Sequence, residues 1–122
     1  YNHPNYPDGF LRTSVNHLSV YARAYLNGGE FAGRRILKSS SIAAMLTNQN
    51  IPGNRTQGLT WYADEEMQDE LQWGHGGSDP GSNTDMRLLP AQGVGAIVFA
   101  NTNGITPTEI SEQLLELALE LA

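Results

Sequence analysis

A histidine flanked by glycines lies in the stretch Trp73-Gly74-His75-Gly76-Gly77-Ser78, whose residue types suit the edge of a substrate-binding site. Leu71, Trp73 and His75 alternate with small or polar residues, which predicts a strand over residues 71–75 with these three side chains on one face. Glycines beside His75 would let another molecule approach the backbone closely. The alternative is a strand end whose glycines serve only the turn predicted over residues 79–83. Both interpretations stay open on residue types alone.

Two helices are predicted in the part of the chain before this strand, about residues 1–57. Thr13 or Ser14 caps the first helix, and Asn27-Gly28-Gly29 ends it. Its apolar positions follow helical spacing: Val15, Leu18, Ala22 and Tyr25. Ser39 is the expected cap of the second helix, whose inward residues are Ile42, Met45 and Leu46. His17, on the first helix, is predicted to be a surface residue.

Strand patterns dominate from about residue 58 onward. Besides residues 71–75, strands are predicted from residue 59 to 62, from 83 to 89 and from 94 to 100, with turns at the acidic run 64–66 and at Pro90-Ala91-Gln92-Gly93. Residues 94–100 are apolar on both faces, which predicts a position in the middle of the sheet with helices against it. The order of strands predicts a three- or four-stranded antiparallel meander.

A last helix follows the strands. Thr106-Pro107-Thr108-Glu109 predicts a capping box with proline at the first helical position. One stripe is predicted to pack on the sheet, and it consists of Ile110, Leu114, Leu117, Ala118 and Leu121. Glu112, Glu116 and Glu120 form the predicted solvated face. The whole pattern predicts an α+β fold, an antiparallel sheet flanked by helices, with residues 1–122 forming a single domain or a fragment.

Composition narrows the functional classes. The 122 residues include 7 basic and 13 acidic side chains, for a formal net charge of −6. The sequence contains no run of Lys or Arg, which makes nucleic acid and an anionic membrane improbable partners. The absence of cysteine excludes thiolate chemistry and fits both the cytosol and the bacterial periplasm. No apolar run approaches the roughly 18 residues that span a membrane. The chain begins at Tyr1 without a signal-like segment, so we expect a fragment or a processed piece, and export stays open.

Several segments together resemble the serine β-lactamase-related family, which includes class C β-lactamases, D-alanyl-D-alanine carboxypeptidases, esterases and D-amino-acid peptidases. They run from about residue 6 to the end of the chain: Pro7-Asp8-Gly9-Phe10-Leu11-Arg12-Thr13-Ser14, Leu26-Asn27-Gly28-Gly29, Arg35-Ile36-Leu37, Gly58-Leu59-Thr60-Trp61, His75-Gly76-Gly77 and Val98-Phe99-Ala100-Asn101. The resemblance implies the C-terminal portion of a β-lactamase/transpeptidase-like fold. It also implies an extracytoplasmic or periplasmic location, although a cytoplasmic location stays possible. The resemblance implies no cofactor.

The resemblance implies roles for the glycine-flanked stretch. His75-Gly76-Gly77 is similar to the family's third motif, Lys-Thr-Gly or His-x-Gly, on the strand that lines the cleft. The backbone N–H of Ser78 would then be one oxyanion-hole donor, and His75 would orient the acyl substrate or the tyrosine of the second motif. An imidazole in place of a permanent lysine cation favours an ester or peptide-like substrate over a β-lactam.

Two other family motifs do not occur in this sequence. No Ser-x-x-Lys exists, because Lys38 is the only lysine and Arg35 stands three residues before it. Neither Tyr1 nor Tyr6 begins a Tyr-x-Asn in the right context. Without a nucleophile and its base there is no acyl-enzyme route, so the chain is predicted to be inactive alone. Its expected partners are the N-terminal part of the same protein or a second copy through the sheet edge.

Two alternatives belong to other functional classes. Asp79, Asn83 and Asp85 have roughly the alternate spacing of calcium loops, although the terminal acidic ligand is absent. The other is a non-catalytic interaction module that uses the sheet edge and three aromatic side chains, Trp61, Tyr62 and Trp73. An upstream Ser-x-x-Lys in the same reading frame would favour the enzyme.

Overall fold

The computed structural model describes residue 9, residues 11–53 and residues 56–122, without the side chains of residues 64–66. Within these ranges the chain is α+β, as predicted, with antiparallel strands and helices. The elements in chain order are α1 (Val15–Leu26), β1 (Glu30–Phe31), β2 (Arg34–Arg35), α2 (Ser39–Met45), β3 (Thr56–Gln57), β4 (Tyr62–Met67), β5 (Glu70–Asp79), β6 (Ser82–Leu89), β7 (Val94–Ala100) and α3 (Pro107–Leu121). The division of the chain near residue 57, and its status as one domain or a fragment, stay predictions.

The main sheet has five strands in the order β3-β4-β5-β6-β7, a meander in which neighbours along the chain pair antiparallel. The predicted number of three or four strands is wrong, because the short strand β3 adds to the sheet in a stretch without a strand pattern. The predicted place of β7 is wrong for the described residues, because β7 lies at the edge of this sheet. Both of its faces are nevertheless covered, since α1 and α3 each contact it. The apolar residues on both faces of β7 are explained by a helix against each face and do not require a neighbouring strand on each side.

The strand that carries the candidate site is longer than predicted. β5 continues beyond His75 to Asp79, and it pairs with β6 from Trp73 opposite Leu88 to Asp79 opposite Ser82. Backbone hydrogen bonds between strands do not depend on side chains, so the glycines continue the ladder. The turn is confined to the two residues between β5 and β6.

The start and end of β4 also differ from prediction. The acidic run 64–66 lies inside the strand, and the turn falls instead at Gln68 and Asp69, with φ of +51° and +62°. Two left-handed residues are what a two-residue hairpin with the natural strand twist requires. Thr60, predicted to be in the strand, precedes it, because its φ of +65° is incompatible with extended backbone.

The ends of α1 follow the sequence closely, and the start of α2 does not. The Ser14 side chain accepts a hydrogen bond from the His17 backbone N–H, as expected of a cap. The predicted cap of α2 is wrong, because Ser39 is its first helical residue and Lys38 precedes it. The Ser39 hydroxyl instead donates to the Gly28 carbonyl oxygen at 3.1 Å, so it joins α2 to the end of α1.

Helices cover the two faces of the sheet. On one face, α1 and α2 bury a cluster that consists of Ala22, Tyr25, Ile42, Trp61, Ala63, Trp73 and Leu88, and the predicted inward residues Met45 and Leu46 pack against it. On the other face Leu115 of α3 packs on Leu89 and Ala96. Leu88 and Leu89 are adjacent on β6, so they point to opposite faces and divide the core into two layers.

The orientation of α3 contradicts the predicted stripe. Proline is at the first helical position, but Thr106 makes no side-chain capping bond. The sheet-facing residues are Ser111 and Leu115, whereas Leu114, Leu117 and Leu121 are exposed. The physical reason lies on β6, where the charged Asp85 is buried and its carboxylate accepts a hydrogen bond from the Ser111 hydroxyl. No helix within the described residues is long and apolar enough to cross a bilayer.

Candidate active site

The candidate motif occupies a part of β5 that is open on one side. β4 begins at Tyr62, whose partner on β5 is Gly74, so the pairing of β4 with β5 extends no further toward the C-terminal end of β5. On the other side β6 stays paired with β5 as far as Asp79. Within the described residues, β5 therefore changes from an internal strand to a sheet edge at about Gly76.

A tyrosine hydroxyl meets the first exposed backbone group of this edge. The Gly76 N–H donates to the Tyr62 hydroxyl oxygen at 2.6 Å, on the side where β4 has ended. Backbone N–H groups two residues apart on a strand point the same way. The N–H of Ser78, the proposed oxyanion donor, is thus directed to the same open side, away from β6.

The side chain of His75 is exposed beside this edge. His75 pairs with Met86 across the sheet, and its Nδ1 lies 2.8 Å from the carbonyl oxygen of Gly76. Because a carbonyl oxygen only accepts, Nδ1 carries a proton and donates in this contact. In the neutral form of the ring, Nε2 can accept a hydrogen bond from a hydroxyl or amide, whereas in the protonated form it donates one.

The three glycines of the motif differ in what a side chain at each position would contact. A Cβ at Gly74 would lie 2.7 Å from both Arg87 Cδ and the Met86 backbone oxygen, so internal packing requires glycine there. At Gly76 the nearest atom to a Cβ is the Tyr62 hydroxyl at 3.3 Å, and at Gly77 it is the Thr84 hydroxyl at 2.9 Å. Neither Gly76 nor Gly77 has a positive φ. The turn does not require these two glycines, which weakens the interpretation that they serve only the turn.

An open groove of about 1300 Å³ runs along the motif. Residues 75–79 of β5 form one wall, and the N-terminal half of α1 forms another, with His17, Leu18 and Tyr21. Burial raises the pKa of the Tyr21 hydroxyl above its ordinary value, and interactions with Tyr25 act in the same direction. A tyrosine with an ordinary or a raised pKa is protonated at neutral pH, so the Tyr21 hydroxyl can donate a hydrogen bond. His17, predicted as a surface residue, is exposed within this groove.

A buried polar cluster lies behind the motif, on the α3 face of the sheet. Arg87 and Asp85 are 4 % and 2 % exposed, and Arg87 Nε donates to Asp85 Oδ2 at 3.0 Å. The Ser111 hydroxyl contacts the same carboxylate oxygen and the Thr108 carbonyl oxygen. The Arg87 guanidinium lies 5.8 Å from the centre of the Tyr62 ring. This cluster is not among the features predicted above, although Asp85 and Arg87 stand two apart on a strand and must share a face.

The structure does not bring the proposed calcium ligands together. Asp85 is held by Arg87 and Ser111, and the Asn83 amide donates to the Thr102 carbonyl oxygen at 3.1 Å. Among the residues that the structure describes, no group of three or more His, Cys, Asp or Glu side chains could hold a metal ion.

The aromatic residues of the interaction-module alternative are mostly internal. Trp61 and Trp73 are 3 % and 6 % exposed and belong to the core, so their predicted role as partner contacts is wrong. Tyr62 is half-buried at the edge of β5. Ser39, Ser40 and Ser41 are the first three residues of α2. Tyr1 and Tyr6 lie outside the described residues.

One solved structure has a similar fold. It is the octameric penicillin-binding protein homologue from the archaeon Pyrococcus abyssi, which superposes with a TM-score of 0.74 and 25% sequence identity. The match covers 88% of this chain and 24% of the homologue's chain. This chain shares its fold with part of a penicillin-binding protein homologue. No family model and no curated protein matches the sequence.

The chain thus spans about a quarter of the length of that neighbour. The relation to penicillin-binding proteins holds at the level of the fold, whereas the four candidate residues His75, Gly76, Gly77 and Ser78 stay a prediction. The contribution of Tyr62 could not be found by spacing, because it depends on where β4 ends relative to β5.

Proposed function

We propose that this chain is the C-terminal part of a serine hydrolase related to penicillin-binding proteins, and that β5 supplies one wall of its acyl-transfer site. One observation carries the proposal: the edge of β5 from Gly76 to Ser78 has no strand partner on the β4 side, within the described residues, and borders the groove. An extended acyl substrate can hydrogen-bond to such an edge in the manner of an added strand.

The backbone of Ser78 and the side chain of His75 have separate roles in this proposal. A serine from the rest of the protein attacks the carbonyl carbon, and the carbonyl oxygen gains negative charge. The Ser78 N–H, on the open side of β5, donates to that oxygen, and the N–H of the nucleophile is the second donor. Loss of one such donor typically lowers the rate by about 10²–10³.

His75 determines which substrates suit the site. With Nδ1–H bonded to the Gly76 carbonyl oxygen, Nε2 is the nitrogen that carries the lone pair in the neutral form of the ring. A neutral imidazole orients a hydroxyl or an amide, and it provides no permanent charge for a carboxylate. The proposed substrate class is therefore an ester or a peptide-like amide before a β-lactam. Acyl transfer through a serine needs no cofactor.

The proposed partners are the rest of the same protein and further copies of it. The nucleophile and its base would come from an N-terminal part, because this sequence contains no Ser-x-x-Lys. The homologue from Pyrococcus abyssi is octameric, which supports self-association of the complete protein. The family resemblance also leads us to propose an extracytoplasmic location.

Covalent labelling tests the proposal. The complete protein encoded by the reading frame should hydrolyse a chromogenic ester and form a stoichiometric acyl adduct that mass spectrometry detects. The 122-residue chain alone should do neither, because it has no nucleophile paired with a base. An active-site-directed adduct on the isolated chain would contradict the proposal. Absence of any adduct on the complete protein would instead favour the non-catalytic interaction module.

A further inference from the structure

The side chain of Tyr62 connects the open edge of β5 with the buried polar cluster behind it. Tyr62 is the first residue of β4, and its backbone is paired with Gly74. Its hydroxyl reaches two residues further along β5 and accepts the Gly76 N–H at 2.6 Å. A carbonyl of β4 would occupy this place if the ladder continued. The tyrosine therefore substitutes a side-chain oxygen for a strand partner.

The ring of Tyr62 has aromatic and cationic neighbours. Its centre lies 5.4 Å from that of the His75 ring, with the two planes tilted by 46°. The Arg87 guanidinium, 5.8 Å from the Tyr62 ring centre, is within the range of a cation–π contact. These neighbours restrict where the Tyr62 hydroxyl can be.

Arg87 is itself held from behind. It is buried, and Asp85 accepts its Nε–H while the Ser111 hydroxyl of α3 contacts the same carboxylate oxygen. Gly74 leaves the space that the Arg87 stem fills, since a Cβ there would collide with Arg87 Cδ. A continuous series of contacts therefore runs from α3 through Asp85 and Arg87 to the Tyr62 ring, and from the Tyr62 hydroxyl to the Gly76 amide.

We infer that Tyr62 is a positioning residue of the acyl-transfer site, an inference that rests on the function proposed above. Its hydroxyl fixes the backbone of residues 76–78 where β4 no longer supports it, and this holds the Ser78 N–H toward the developing oxyanion. Tyr62 acts through the Gly76 amide and does not contact the reacting carbonyl. Displacement of a donor by a fraction of an ångström weakens its stabilisation of the transition state more than substrate binding.

Tyr62→Phe tests this inference, because it removes the hydroxyl and keeps the ring. Tyr25→Phe is the matched control, since it also removes one tyrosine hydroxyl and keeps the ring, and that hydroxyl contacts Met45 Sδ at 3.0 Å and the Tyr21 side chain and not Gly76. In the 122-residue chain, Tyr62→Phe should make hydrogen exchange of the Gly76 amide roughly 5- to 10-fold faster, as expected for the loss of one hydrogen bond. Tyr25→Phe should leave that exchange rate unchanged.

Steady-state kinetics of the complete protein test whether the Tyr62 hydroxyl contributes to turnover. Tyr62→Phe should lower kcat about 10-fold or more with KM nearly unchanged, and Tyr25→Phe should change neither. An unchanged Gly76 exchange rate in Tyr62→Phe would overturn the inference whatever the activity. Faster exchange with an unchanged kcat would reduce Tyr62 to a structural residue and so overturn its positioning role.

The proposed function can fail separately. If the unsubstituted complete protein forms no acyl adduct, the proposed function is wrong, and with it the part of Tyr62 in turnover. Faster Gly76 exchange in Tyr62→Phe would then still support the hydroxyl as the partner of the β5 edge.

Discussion

Two nearby glycines on β5 have different roles, one in internal packing and the other at the edge of the groove. Gly74 is buried against Arg87, and a Cβ there would meet a side-chain carbon and a backbone oxygen at 2.7 Å. At Gly76 no atom would come closer than 3.3 Å to an added Cβ, and the glycine borders the groove. Substitution by alanine therefore separates the two roles.

Gly74→Ala should lower the free energy of unfolding by about 1–3 kcal/mol, because the added methyl group forces Arg87 or the β6 backbone to move. Gly76→Ala should lower it by less, because the nearest atom to the added Cβ is the Tyr62 hydroxyl oxygen at 3.3 Å, the far end of a side chain. Urea denaturation of the two variants measures the difference. Equal stability losses at both positions would mean that the edge of β5 is packed as tightly as its interior.

His75→Ala in the complete protein should reduce turnover far more than stability. The ring is exposed and contacts the edge of the groove, so its removal creates no core cavity. His17→Ala is the matched control, since His17 is exposed in the opposite wall of the groove. Steady-state kinetics and thermal unfolding decide the result: an unchanged rate with a large fall in Tm would identify His75 as a core histidine.

At the scale of elements, α3 is oriented by a buried charge and not by its longest apolar stripe. Ser111 is fully buried against Asp85, and Leu115 packs beside it. A buried carboxylate needs hydrogen-bond donors, and rotating α3 to bury Leu114 and Leu117 would take the Ser111 hydroxyl away from Asp85.

Substitution of Asp85 should lower the stability more than substitution of Ser111. Asp85→Ala removes the buried acceptor of both the Arg87 Nε–H and the Ser111 hydroxyl and should lower the free energy of unfolding by about 3–5 kcal/mol. Ser111→Ala removes one hydroxyl and should cost about 1–3 kcal/mol. Ser19→Ala, which removes a hydroxyl that donates to the Asn16 carbonyl oxygen of its own helix, is the control. Chemical denaturation that ranks Ser111→Ala with Ser19→Ala would contradict the importance of the cluster.

At the scale of the whole molecule, β7 and α3 leave an apolar surface at one side. Within the described residues β7 has a strand partner on one side only. On α3, four apolar residues are exposed along one stripe: Ile110, Leu114, Leu117 and Leu121. An unpaired strand edge is a template for another strand.

We therefore predict that the 122-residue chain self-associates through the β7 edge or requires the rest of its protein. Light scattering should give a mass above 13.3 kDa that rises with concentration. Because each chain has a net charge of −6, association should strengthen as added salt screens repulsion. Leu117→Gln should weaken it if the α3 stripe contributes. A stable monomer at high concentration, with protected amides throughout residues 94–100, would exclude this mode of assembly.

Local signals in the sequence are enough to establish the fold class, the order of most elements and the position of the glycine-flanked histidine on a strand. These signals are hydrophobic periodicity, Ser14 at a helix start, Gly28 and Gly29 at a helix end, and the turn after Pro90. Each of them acts over a few residues, so a single chain segment is enough to recognise it.

The backbone groups that β5 presents and the face that α3 buries depend instead on contacts between distant parts of the chain. The open edge at Gly76 exists because β4 begins opposite Gly74. This depends on the register between two strands, which the residue types in the motif do not determine. Tyr62 meets Gly76 for the same reason. The orientation of α3 likewise depends on Asp85, which is 26 residues from Ser111 in the chain. Local periodicity reports how amphipathic a helix is, but the partner surface determines which side is buried.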